Sequence, residues 1–147
     1  MEVQTRGWNY NTEENVDIQP DQNGFVILPL NTLKVDTVGA SASINAIQRG
    51  SRLYNKTDRT YVFATAATVD MVLGLDFEEL PSTARMFITI RAARKYQDRY
   101  FGDQASHSYT LQDELTAQSL MMDEELNSRD ANMLSDSQFM SDLRDRG

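Results

Sequence analysis

The sequence predicts an α+β fold: a β-rich N-terminal half with a hairpin, then two long antiparallel helices of a helical bundle and an extended C-terminal arm. Three observations predict it. Short runs of β-branched and aromatic residues, broken by turn residues, recur from Trp8 to about Phe77. From Glu78 onward the apolar residues fall at helical spacing instead. The final stretch, LSDSQFMSDLRDRG, is polar with isolated apolar anchors and could not bury enough area to fold alone. The corresponding regions are 1–77, 78–133 and 134–147.

Within the first region, FVIL at 25–28 follows the turn signal DQNG and stops at Pro29. LKVDTV at 33–38 alternates Leu33, Val35 and Thr37 with Lys34, Asp36 and Val38. RLYN at 52–55 and TYVF at 60–63 flank KTDR and read as a hairpin with a four-residue loop. TVDMVLGL at 68–75 sets Val69, Met71, Leu73 and Leu75 on one face, the pattern of a half-buried strand. GASASINA at 39–46 is small and polar, and is expected to be a loop.

In the second region Pro81 is placed as the first residue of a helix, where its missing N–H costs nothing, and Gly102 as its stop. Apolar residues lie on two faces of this helix: Ala84, Phe87, Ile88, Ala92 and Tyr96 on one, Met86, Ile90, Ala93 and Phe101 on the other. Two such faces mean cover from more than one side. A second helix is expected from Thr110, where Thr110 and Asp113 form a capping-box pattern. Leu111, Leu115, Met122, Leu126 and Met133 give it a coiled-coil-like seam.

Composition excludes several classes of function. The 147 residues carry a formal charge of -8, which opposes sequence-independent DNA binding. The chain has no Cys, so a disulfide framework, a thiolate zinc site and a Cys nucleophile are all excluded. The first residues, MEVQTRGWNY, lack the regions of a signal peptide, and no apolar run reaches membrane-spanning length, so no membrane partner is expected.

Positive charge is nonetheless concentrated between Pro81 and Tyr100, where Arg85, Arg91, Arg94, Lys95 and Arg99 face one acidic residue, Asp98, for a net +4. From Thr110 to Gly147 three basic residues meet nine acidic ones, a net -6. Two consecutive helices of opposite sign should lie antiparallel, with Arg85, Arg91, Arg94 and Arg99 pairing with Asp123, Glu124 or Glu125 within the chain or across a subunit boundary. The aromatics sit at core spacing, which favours structural ion pairs over a nucleic-acid face.

Asp76, Glu78 and Glu79 in DFEEL offer carboxylates for a glycan or peptidoglycan hydrolase, but acidic residues before a helix also suit its N-terminal dipole. His107 is the only histidine and cannot complete a zinc site alone. RGSR at 49–52 is no phosphate loop, since no helix follows it. The chain is therefore read as having neither catalytic residues nor a cofactor. A generic α+β interaction module is the remaining alternative.

Four stretches in order carry a family resemblance: RGWNYNTEE, RLYNKTDRTYVF, LDFEELPSTARMFITIRAARKYQDRYFG and LQDEL…MMDEELNSRDANMLSDSQFMSDL. Together they resemble the tail tubular protein A family, the head-to-tail adaptors of short-tailed, podovirus-type bacteriophages. The resemblance covers essentially the whole chain. Members usually carry a further pair of N-terminal helices ending at VQTRGW, where Met1 and Glu2 stand here. The two-faced helix at 81–101 is therefore expected to be partly uncovered or differently packed.

The resemblance implies a structural virion protein of the phage neck, made in the bacterial host cytoplasm. It would form a ring, a dodecamer in the family, between the portal and the tail nozzle (tail tubular protein B), with tail fibres near that junction. Viral DNA would pass through the lumen without sequence-specific binding. On this reading the helices form the ring wall. The arm anchors Leu134, Phe139, Met140 and Leu143 dock on the portal or a neighbouring copy. The hairpin residues Tyr54, Lys56, Asp58 and Arg59 contact the nozzle or fibres.

Overall fold

The structure, a computed structural model, describes the backbone of residues 1–102 and 104–144 and the side chains of 1–102 and 110–131. The class is α+β as expected, in two compact units, Met1–Asp76 and Phe77–Gly147.

The first unit is built on an antiparallel three-stranded sheet in the order β1-β5-β2, with β1 Thr12–Ile18, β2 Thr32–Thr37 and β5 Ala67–Leu73. A second sheet is the hairpin β3 Ala46–Arg49 with β4 Arg52–Asn55. One core joins them: Val69 and Met71 from β5, Ala46 and Leu53 from the hairpin, Val26, Leu28, Phe63 and Ala67. Central strand β5 carries the alternation read from the sequence, with Val69 and Met71 buried.

The pairing of β4 differs from expectation. Its partner is 46–49, across a two-residue turn in which Gly50 holds φ +63°, the left-handed value that primed hairpin turns require. The segment expected to be a loop thus ends in a strand. Its inward residues, Ala46 and Gln48, are too small or polar to register as an apolar alternation. The KTDR turn does close, through reciprocal Asn55–Thr60 backbone bonds of 2.9 and 3.1 Å. It carries no ladder, however, because the chain then turns aside and Phe63 donates to Gly24 at 2.8 Å. FVIL likewise makes only isolated bridges, Phe25 to Val62 and Ile27 to Arg52, although Val26 and Leu28 are buried as an alternating strand would bury them.

The N-terminal segment is latched to the end of β5. The Gln4 carboxamide donates to the Leu75 carbonyl at 2.9 Å and accepts from the Leu75 amide at 2.7 Å. Asn11 Nδ2 donates to Leu73 at 2.8 Å, and the buried Trp8 indole donates to Val3 at 2.7 Å. At this end of the sheet the Gln4 and Asn11 side chains satisfy backbone groups of Leu73 and Leu75.

The second unit pairs α1, Ser82–Tyr100, with α2, Gln104–Arg144. Pro81 lies just before α1, with ψ 150°, rather than inside it. Gly102 ends the helix in the left-handed conformation, φ +59°. The expected start at Thr110 is six residues late, since α2 resumes directly after this reversal and needs no capping box there. At the other end the backbone of 134–144 is helical where an extended arm is expected, because no Gly or Pro interrupts the chain before Gly147. The side chains of Leu134, Phe139, Met140 and Leu143, and of His107, lie outside the described residues.

Candidate interaction site

The two helices are held by a small apolar seam with a charged lock beside it. Ala84 and Phe87 of α1 and Ala117 and Met121 of α2 are buried. Thr83 donates to Glu124 near one end, and Arg94 donates to Glu114 near the other, which fixes the antiparallel register. Arg94 also pairs with Asp98 at 3.0 Å, and Arg91 Nε lies 3.8 Å from Glu114. The hydrogen bond that Arg94 donates to Glu114, opposed by burial and aided by the Glu114 and Asp98 charges, raises the Arg94 pKa above its ordinary value.

Within the chain, opposite charge therefore does join the helices, and it does so through Glu114. Glu114 is 8% exposed and takes the role expected of Asp123, Glu124 or Glu125. Asp123 is exposed, Glu124 receives Thr83, and Glu125 pairs along its own helix with Arg129 at 2.9 Å. The sequence signal was Glu114 lying at helical spacing from Ala117 and Met121, small and flexible residues suited to close helix contact. Arg85 and Arg99 are exposed and have no carboxylate within 4.0 Å among the described residues.

The coiled-coil-like seam on α2 is not the inner face. Leu111 and Leu115 are exposed, Leu126 is 61% exposed and Met122 is half-buried. On α1, Met86 and Ala93 are exposed, and Tyr96, Tyr100 and Phe101 form an exposed aromatic cluster with Tyr96 and Tyr100 centroids 4.6 Å apart. Within the chain Tyr96 and Phe101 are thus uncovered, because among the described residues α2 covers α1 on one side.

With the inner faces fixed, helical geometry orients the rest. The Met86–Ile90–Ala93 stripe of α1 and the leucine seam of α2 fall on opposite sides of the hairpin. On one side the α1 stripe lies beside acidic Asp113 and Glu124 of α2. On the other, the α2 seam lies beside basic Arg85, Lys95 and Arg99 of α1.

The remaining candidates are surface groups. Lys56, Asp58 and Arg59 are exposed and Tyr54 is half-buried. Asp58 closes the turn, accepting from Asn55 Nδ2 at 3.0 Å and donating its amide to Asn55 Oδ1 at 3.0 Å. Asp76, Glu78 and Glu79 are all exposed. Among the described residues no cluster of His, Cys, Asp or Glu could hold a metal, and no helix is long and apolar enough to cross a membrane.

Exposed apolar stripes flank the charge-matched helix pair, and among the described residues Arg85 and Arg99 have no carboxylate within 4.0 Å. The chain belongs to the tail tubular protein family: a family model described as tail tubular protein matches residues 1–131. It is similar to tail tubular protein A of Klebsiella phage KP34, with 28% identity over 109 residues, 74% of this chain and 57% of that protein. The matched region thus spans little more than half the length of this relative. Membership places the chain among structural proteins of the bacteriophage tail.

Proposed function

We propose that this protein is a head-to-tail adaptor that forms a ring between the portal and the tail nozzle and lines part of the DNA ejection channel. The observation that carries this reading is the pair of unlike apolar stripes on opposite sides of the α1–α2 hairpin. Unlike faces suit heterologous contact, which gives a ring when the rotation between copies closes. The stripe bearing Met86, Ile90 and Ala93 of one copy would meet the seam bearing Leu111, Leu115, Met122 and Leu126 of the next. Arg85, Lys95 and Arg99 would then approach Asp113, Asp123 and Glu124 across the boundary.

Half of the length of α2 has no counterpart on α1, since the helices have 41 and 19 residues. Its C-terminal end, with Leu134, Phe139, Met140 and Leu143, is the proposed portal or neighbour contact, now as a helix. The turn around Tyr54, Lys56, Asp58 and Arg59 is the proposed contact with the nozzle or fibres. The charge of -8 per chain would discourage DNA phosphates from adhering to the lumen.

Electron microscopy of this protein mixed with the portal protein of its own phage tests the reading. A ring seated on the portal is the expected result. A chain that stays monomeric with the portal present would overturn it.

A further inference from the structure

We propose that the outward face of the β3–β4 hairpin is a docking site for an acidic polypeptide segment of a partner protein. The inference goes beyond the adaptor reading and stands on the geometry of the first unit alone.

The pleat turns Ala46, Leu53 and Asn55 into the core, so Ile47, Arg49, Arg52 and Tyr54 share the opposite face. On that face the side chains form one continuous stack. The Arg49 guanidinium lies 3.7 Å from the Tyr54 ring centre, and Tyr54 meets Tyr61 edge-on at 4.9 Å. Arg52 lies 4.5 Å from the Tyr61 centre and 5.0 Å from that of Phe25.

Three features make this a binding surface. First, Arg49 and Arg52 are direct cross-strand neighbours, and like charges so placed are destabilising. Second, neither has a carboxylate within 4.0 Å among the described residues, and the same holds for Lys56 and Arg59 on the following turn. The second unit pairs its half-buried arginines; this face leaves its cations open. Third, stacking on a ring leaves the edge of a guanidinium free, and that edge matches a planar carboxylate bidentately.

The surrounding chemistry selects protein over nucleic acid. Exposed Ile27 and Val62 adjoin the stack, and tyrosine and arginine beside aliphatic residues are the composition of a protein interface core. Only four cations are present, in a chain of charge -8, too few to hold a phosphate backbone against that field.

The test is fluorescence anisotropy of the full chain with two labelled probes, an alternating Glu–Gly peptide and an oligothymidylate of equal length. The peptide should bind with a Kd below roughly 1 mM at low salt and weaken as salt rises. The R49A/R52A variant should lose about tenfold or more, and R49K/R52K, which keeps the charge but not the stacked fork, should lose part of the affinity. Circular dichroism matching the parent shows that each variant folds. Tighter binding of oligothymidylate, no peptide binding, or equal affinity in all three proteins would overturn the proposal.

Discussion

Arg94 of α1 donates its Nε–H to the carboxylate of Glu114 on α2, and Glu114 is nearly buried beneath it. The pair ties residues twenty positions apart and sets the register of the helical hairpin. Removing Arg94 leaves the nearly buried Glu114 with the 3.8 Å contact from Arg91, and removing Glu114 leaves the half-buried Arg94 with Asp98. Arg94→Met and Glu114→Gln should each destabilise the chain by about 1–3 kcal/mol in urea denaturation. The double variant should cost less than the sum of the two, with a coupling of at least ~0.5 kcal/mol.

The same pair fixes a pH dependence. Arg94 titrates above its ordinary value in the folded chain, through its hydrogen bond with Glu114. A raised folded pKa gives stability that is fully present below the unfolded value and is lost only as pH climbs through the folded one. The penalty of Arg94→Met should therefore be the same at about pH 7 and about pH 10. A denaturation series across that range checks it.

The latch at Leu75 predicts a local weakness. Gln4→Ala removes both partners of the Leu75 backbone and should cost about 1–3 kcal/mol. Gly7 holds φ +81°, and a Cβ there would lie 3.1 Å from Val72 Cγ2. Gly7→Ala should therefore cost at least ~1 kcal/mol. Hydrogen exchange at Leu75 separates the two variants: faster exchange is expected first in Gln4→Ala, which removes its acceptor.

The outer stripes predict assembly defects without folding defects. Leu115→Glu and Leu126→Glu lie on exposed positions, so thermal stability should change by no more than ~0.5 kcal/mol. Ring formation with the portal should nevertheless be lost in electron micrographs. Arg85→Glu should weaken assembly and be rescued in part by Asp123→Lys, if these residues meet across subunits. Assembly unchanged in Arg85→Glu removes the intersubunit pairing.

The C-terminal segment makes a further test. Removing residues 134–147 should abolish portal binding while the α1–α2 lock at Arg94 and Glu114 remains. Sedimentation of the truncated chain with the portal reads this out.

Legibility in the sequence followed the number of covered sides. Strand β5 sits between two neighbours, so Val69 and Met71 repeat clearly enough to be read. Edge strand β1 carries Glu13, Glu14 and Asp17 and a bulge at Asn15, φ +53°, and its pattern stays hidden in charge. The opposite signs of the two helices were readable, but the acid facing Arg94 was not, because apolar leucines pointed to the wrong side of α2. Those leucines are exposed in the chain. The Arg49–Tyr54 stack was illegible for another reason: its members come from different strands and meet only once the RGSR hairpin has formed.

In the proposed ring, unlike flanks on one hairpin would also set the direction of growth. If one stripe meets the other as proposed, the contact is heterologous, and each added copy would leave the same kind of bare, adhesive edge behind. Only a closed circle removes that edge. A variant that alters the angle between copies by a few degrees should therefore spiral into open filaments instead of stopping at a fixed number.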